Sequence, residues 1–432
     1  MIIEQAIEYA DQLLYDQTGK HLSDLQSYII QQSWQGRTYG QVAALAGYSE
    51  GHVKDVASQL WRLLSNALGE RITKGNLRSR FINQIKRTLK KASTANFLTQ
   101  SHILTVQGFI GREQALSTLH SLSQQQPIIV IQGEAGLGKT TLAQRYCQQF
   151  EQVLELLVAR ETSRIVRVES VVEEWLQQHF NQAPAEEFGI TLSRLKYQLE
   201  KDNHSVVLID NLEPVLTKSG QFATEYRGYV ELLRILAATK TTTIITSRDR
   251  LCEPSLKVYH YRLPTLSLAA WQQFFQAHIE QIASKRVDFY TTILQSMHRA
   301  YNGNAKAMEV LCEAVVEDFE GDLGAYWQQN STNLLGSAEL RNLISGQVNR
   351  LRDLDPKAYT VICRLAGNHA PDSSRFDTDE ILALMWDIPL EWRRQILSSL
   401  RDRSLLAFEK GRYWLHPMIK AEAVERLSYI EP

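Results

Sequence analysis

The sequence predicts a multidomain chain of α/β plus α character: a helical front, a parallel α/β middle, a helical lid and a small helix-and-hairpin domain at the back. Three observations predict it. At 432 residues the chain exceeds one ordinary core and suits several domains, each able to bury its own apolar set. The β-rich runs Ile128-Ile-Val-Ile131, Val206-Val-Leu-Ile209 and Thr242-Thr-Ile-Ile245 fall only in the middle and alternate with helical stretches, the pattern of a parallel sheet with helical crossovers. Residues 1–91 and those beyond Pro264 instead read as helices.

Composition bounds the function classes. Hydrophobic residues at 44% and charged residues at 22% match a soluble globular protein, and a formal charge of -1 excludes a global basic field for nucleic acid, so any DNA-binding face must be local. Cys147, Cys252, Cys312 and Cys363 are scattered, without the close pairs of a zinc site or redox motif, which fits a reducing, cytoplasmic setting. The opening stretch from Met1 to Gln12 carries acids where a signal peptide needs bases, and no apolar run approaches a membrane span.

In the helical front, residues 1–91, apolar positions recur through Ile3, Ile7, Ala10 and Leu14 and again through Leu22, Leu25 and Ile29. Residues 39–58 fit a helix-turn-helix, with small Ala43 where two helices approach, Gly47 in the turn, and Val42, Ala46, Tyr48, Val53 and Val56 facing one core. A recognition helix from Ser49 would present Ser49, His52, Lys54 and Ser58 outward as DNA contacts, and the basic run from Arg71 to Lys91 could neutralise phosphates. Glu50 and Asp55 on the same face oppose DNA, so a helical adaptor that pairs with protein stands as the alternative. A small polar linker occupies residues 92–104.

The middle, residues 105–262, holds the chemistry. Gly133-Glu-Ala-Gly-Leu-Gly138-Lys139-Thr140 follows the first β-run and leads into the helix from Thr141 to Phe150, the sequence and context of a P-loop. Gly133, Gly136 and Gly138 let the loop bring its N–H groups against phosphate oxygens, with the helix N-terminus behind them. Lys139 supplies positive charge to the β- and γ-phosphates, Thr140 a hydroxyl to Mg²⁺, and Thr141 joins the same nucleotide-binding set. Asp210 closes the second β-run, where a carboxylate can complete the Mg²⁺ site; Glu213, three residues on, could polarise an attacking water; Arg248, after the third run, could sense the γ-phosphate. A helical lid is expected over residues 263–338. Residues 339–432 read as three helices and then a hairpin turning at Lys410-Gly411, which suits a winged helix.

These motifs, with Phe109-Ile110-Gly111-Arg112-Glu113 before the P-loop, Asp210-Asn211-Leu-Glu213, Thr246-Ser-Arg248, Leu263-Pro-Thr-Leu-Ser267 and Leu415-His416-Pro417, occur in the order seen in the NB-ARC/STAND (AP-ATPase-like) P-loop ATPases, which the chain resembles over roughly residues 105–425. That family includes apoptosome scaffolds, plant disease receptors and bacterial regulators. The resemblance implies that Ile110, Gly111 and Arg112 lie near the adenine, that Arg248 is the first sensor, and that His416 reaches the β-phosphate of bound ADP and locks a closed state. Two departures stand out. Gly303-Asn304-Ala305 replaces the Gly-x-Pro usual at the lid, and the chain ends at Pro432 where relatives usually carry a long repeat array as sensor, so the sensor is either another molecule or missing from a fragment. The segments Thr18 to Gln26 and Ser33-Trp-Gln-Gly36 also resemble N-terminal domains of cyanobacterial family members. The expectation is an ADP/ATP switch with slow ATP hydrolysis and nucleotide-dependent self-association. Its output is either DNA regulation or recruitment of a protein partner in signalling or defence.

Overall fold

The computed structural model describes residues 10–11, 14, 22–34, 39–46, 48–68, 109–159, 165–202, 204–279, 287–368 and 375–427. The chain divides into two units, Met1–Gln107 and Gly108–Pro432. The expected linker at 92–104, the basic run Arg71 to Lys91, and Ile3, Ile7 and Gly47 lie outside the described residues.

In the first unit, α1 (Asp24–Trp34), α2 (Tyr39–Ala46) and α3 (Glu50–Leu68) enclose a core of Ile29, Ile30, Val42, Ala43, Val53, Ala57, Leu60 and Leu64. The four α3 residues in that list recur at four-three-four spacing, one stripe of a helix. Trp61 adds an indole N–H donated to the Tyr39 hydroxyl at 2.8 Å, which ties α3 to the start of α2. Tyr48 departs from the expected core set: it is 50% exposed and its ring tilts against His52. The cause is local, because Tyr48 donates its N–H to the Ala43 carbonyl at 3.1 Å and so follows the turn out of α2 instead of continuing the helical stripe.

The second unit begins with α4 (Glu113–Ser123) and is built on five parallel strands in the order β2-β3-β4-β1-β5. They are β1 (Ile128–Gln132), β2 (Gln152–Leu157), β3 (Ser205–Asp210), β4 (Thr242–Ser247) and β5 (Tyr259–Arg262). The three apolar runs legible in the sequence are β1, β3 and β4, the interior strands, which helices bury on both faces. β2 and β5 are the edges and carry no such run: β2 keeps Glu155 exposed, and β5 is the polar Tyr-His-Tyr-Arg. Helix α5 (Lys139–Cys147) packs on one face, and α6 (Val168–Phe180), α7 (Phe188–Lys201) and α8 (Gly228–Ala237) on the other. The loops after β1, β3 and β4 therefore meet at one sheet edge, where ligands bind in open α/β sheets.

Beyond β5 the described chain is helical until the hairpin: α9 (Leu268–His278), α10 (Val287–Ala300), α11 (Ala305–Asp318) and α12 (Leu323–Asn330), followed by α13 (Ala338–Leu354), α14 (Pro356–Gly367), α15 (Thr378–Ala383) and α16 (Leu390–Asp402). The hairpin β6 (Leu406–Glu409) and β7 (Arg412–Leu415) turns where expected, with Lys410 at φ 51° and Gly411 at φ 82°, both left-handed as a two-residue hairpin turn requires. Phe376 pairs with Tyr413 through mutual N–H to carbonyl bonds of 2.7 Å, and α17 (Pro417–Leu427) closes the described chain. No helix among the described residues is long and apolar enough to cross a membrane.

Candidate functional site

The P-loop adopts the backbone its glycines allow: Gly136 at φ 74° and Gly138 at φ 87°, both left-handed, with Gly138 directly before α5. Lys139 curls over its own loop and donates to the carbonyls of Gly133 at 2.9 Å and Glu134 at 2.7 Å. Loss of water around the ammonium lowers its pKa to about 8, while Glu213, Glu134 and Asp210 pull the other way. Thr140 donates its hydroxyl to Asp210 Oδ1 at 2.8 Å, and the Thr246 hydroxyl donates to the same oxygen. One hydroxyl at the start of α5 and one carboxylate at the end of β3, in contact, fit Mg²⁺, which takes few protein ligands and completes its shell with water and phosphate. No group of three or more metal-ligating side chains is assembled among the described residues.

Asp210, Glu213 and Arg248 are brought together as the sequence predicts, but not as free agents. Arg248 Nε donates to Glu213 Oε1, and the Arg248 backbone N–H donates to Glu213 Oε2 at 3.2 Å. Burial alone would raise the Glu213 carboxyl, yet the charges of Arg248 and Lys139 outweigh it and hold the pKa below the ordinary value. A carboxylate so paired is a weak base toward water until Arg248 lets go.

The residues ahead of the P-loop form a clamp. Arg112 is buried, and its guanidinium spans the Pro264 carbonyl at 2.5 Å and the Leu137 carbonyl at 2.6 Å, fastening the P-loop to the segment after β5. Its pKa falls to about 10 through burial. Gly111, at φ 73°, lies so close to Ala270 that a Cβ would stand 2.4 Å from that methyl; Ile110 beside it is buried. Thr141, exposed on α5, lines a cleft of about 510 Å³ with Gly136, Gly138, Ala305, Lys306 and Leu343.

Several contacts come from residues to which sequence reasoning gave no role. Asn304, one residue before Ala305 where a proline is usual, caps α11 with its side-chain oxygen and donates Nδ2–H to the Ala135 carbonyl at 2.9 Å. Lys306 N–H donates to the Gly136 carbonyl at 2.9 Å, and a Cβ on Gly136 would stand within 3 Å of Asn304, Lys306 and Leu343. Asn before a helical run signals a cap, but its bond to the P-loop carries no local sequence mark. Arg350, on α13, donates to the carbonyls of Glu213 and Leu216 and to Asp249 Oδ2, the last at 3.1 Å. Gln347 on the same helix face accepts from the Ala135 N–H at 3.3 Å and donates to the Arg403 carbonyl at 3.2 Å.

His416 is buried at the junction of these parts. Its Nδ1 accepts the Met418 N–H at 3.3 Å, so the proton sits on Nε2, which donates to the Tyr301 carbonyl at 3.2 Å. The same Nε2 lies 3.3 Å from Oε1 of Glu134 in the P-loop. Burial pushes His416 down to about 4 and Glu134 up to about 8, so near neutral pH both groups are uncharged. In the first unit Ser49, His52, Lys54 and Ser58 are all exposed as expected, but Lys54 is already paired with Glu50 at 2.7 Å.

Comparison with known proteins agrees with this geometry at two places. Residues 1–84 match the family described as vWA-MoxR associated protein N-terminal HTH, and residues 119–247 match the family described as AAA domain. The middle of the chain is thus a P-loop ATPase domain and the front a helix-turn-helix domain. An uncharacterized WD repeat-containing protein of Nostoc sp. is 24% identical over 353 residues, covering 75% of this chain; the chain spans 27% of that protein's length. Among solved structures, the Walker-type ATPase PABY2304 of Pyrococcus abyssi superposes with a TM-score of 0.53 at 14% identity, over 73% of this chain and 96% of that one, a likeness of fold. A signal transduction ATPase with a tetratricopeptide repeat sensor from Pyrococcus horikoshii aligns at 17% identity over 74% of this chain and 43% of its own, with a TM-score of 0.33.

Proposed function

We propose that the chain is a nucleotide switch of the NB-ARC/STAND type, in which ADP holds a closed form and exchange for ATP·Mg²⁺ releases the C-terminal winged helix for self-association. The observation that carries this reading is that side chains from beyond the ATPase domain, Arg350 and His416, are bonded or apposed to the loops that would hold the phosphates and the attacking water. A nucleotide that rearranges Glu213, Arg248 or Glu134 must then change the affinity between the parts, the requirement for a ligand-driven shift. In the same reading Lys139, Thr140 and Asp210 hold the phosphates and Mg²⁺, Ile110, Gly111, Arg112 and Thr141 bound the nucleoside side, and Arg248 senses the γ-phosphate. Hydrolysis is slow, because Glu213 can take a proton from water only after Arg248 is displaced.

The test is to denature the purified protein, identify any released nucleotide by chromatography, and measure light-scattering mass with ADP and with ATP·Mg²⁺. Co-purified ADP with a mass that rises only in ATP agrees with the switch. A mass indifferent to nucleotide removes it and leaves an ATPase domain of other use. For the output, a cytoplasmic DNA regulator is favoured by the exposed set Ser49, His52, Lys54 and Ser58; recruitment of a protein partner is favoured by the Glu50–Lys54 pair, which cancels one of the cations DNA would need.

A further inference from the structure

We propose a second anion site, separate from the P-loop, at the seam between the ATPase domain and α16, built to take a small diphosphate-sized ligand on a hydrophilic body. A cavity of about 550 Å³ opens there between the loops Thr217–Gly220 and Asp249–Cys252 on one side and Arg394–Arg403 on the other, a volume within the usual range for small-molecule sites. Its charges do not balance. Asp249 is paired with Arg350, and Lys218 with the buried Asp355 at 2.8 Å. What is left on the wall is Arg250, Arg394 and Arg403 against the single carboxylate of Asp402.

Arg403 is 4% exposed, a costly place for a guanidinium without full pairing. Its Nη1 donates to the Ser399 carbonyl and hydroxyl and its Nη2 to the Lys218 carbonyl at 3.0 Å, all neutral acceptors, and its buried Nε–H has no partner. Arg394 is exposed and pairs with none of the described residues. A phosphate group answers the free fork of Arg394, since guanidinium forks match phosphate oxygens, with the exposed Ser398 hydroxyl on the same wall and the charge of Arg403 behind it. No aromatic ring is among the lining residues, so nothing there would stack a nucleobase, which argues for a phosphorylated small molecule rather than a nucleotide. Because Arg250 belongs to the ATPase domain and Arg394 and Arg403 to the α16 side, a bound anion would also fasten the closed arrangement.

The experiment uses the full chain carrying Lys139→Ala, which removes the P-loop cation, and measures inorganic pyrophosphate binding by calorimetry at constant ionic strength. One pyrophosphate per chain is expected. Adding Arg394→Ala should weaken it at least tenfold, Arg394→Lys should weaken it less, and pyrophosphate should raise the thermal midpoint only while Arg394 is present. ADP should bind this site no more tightly than pyrophosphate. Absence of pyrophosphate binding, or binding unchanged by Arg394→Ala, overturns the site; tighter, Arg394-dependent binding of ADP overturns the ligand class. Arg394 is exposed, and an unchanged thermal midpoint of the ligand-free Arg394→Ala variant separates lost binding from lost stability.

Discussion

Glu134 departs from ordinary ionisation more than its neighbours do, and the consequence is measurable. The folded protein holds its proton until about pH 8, against an ordinary value of 4.5, because the carboxyl is buried beside neutral His416 and the protonated form needs less water. The unfolded chain therefore binds fewer protons between these values, so the contribution is fully present below about pH 4.5 and is lost as pH rises toward 8. Glu134→Gln should remove this loss: in nucleotide-free protein the variant should gain on the wild type as pH rises, by about 3 kcal/mol at pH 7 relative to pH 4. A difference that stays flat with pH in urea titrations would refute the assignment. His416 acts in the opposite sense, since its pKa is lowered to about 4; its contribution is present above 6.5 and lost as pH falls toward 4. Lys139 bonds only to carbonyls of its own loop, so Lys139→Ala should leave the circular dichroism spectrum unchanged while reducing ATP affinity at least a hundredfold by calorimetry. Retained affinity would mean the phosphates sit elsewhere. Lys139 was legible because P-loop chemistry is fixed by short-range spacing, and His416 through the resemblance; the pairing of His416 with Glu134, 282 positions apart in sequence, was not.

The helix α13 ties together loops that no local motif connects. Arg350 and Gln347, three residues apart on one face, reach the loop after β3, the loop after β4 and the P-loop together. Asp249 is buried and its carboxyl is raised by that burial with Arg350 and, less, Arg403 opposing, so removing the Arg350 guanidinium takes away its bonded partner and the larger compensating charge. Arg350→Met should cost about 3 kcal/mol at this contact and speed amide exchange in residues 338–354, while exchange in α3 stays as it was. Unchanged exchange in α13 would show that Arg350 carries no coupling. The sheet teaches the same lesson: β1, β3 and β4 were readable because interior parallel strands must be apolar on both faces. β2 and β5, half-exposed edges, have no such constraint and leave no run to read.

At the scale of the whole molecule, the front unit and the ATPase-containing unit each have their own core, so an output carried by the front can be tested in the intact chain without disturbing the nucleotide chemistry. If the face of α3 reads DNA, binding of a duplex should weaken steeply with salt, by about one power of salt concentration per phosphate neutralised, and Lys54→Glu should abolish it. Salt-independent binding, or indifference to Lys54→Glu, assigns this face to a protein partner. Tyr48 and His52, exposed and in ring contact beside Ser49, suit either surface and do not decide between them.

The sequence by itself determined the P-loop, its Mg²⁺ and sensor candidates, the interior strands, the helix-turn-helix stripe and the Lys410-Gly411 turn, because each is dictated by backbone geometry or burial within a few neighbouring residues. Only the tertiary structure decided that Glu213 is held by Arg248, that Arg112 clamps the P-loop to Pro264, that Asn304 bonds the P-loop carbonyl of Ala135, that Arg350 reaches the site from α13 and that His416 meets Glu134 there. The physical reason is that these are bonds between single polar groups distant in sequence. Such a bond requires only one donor and one acceptor to meet in the folded chain, and so it imposes no periodicity or spacing on the sequence around either partner.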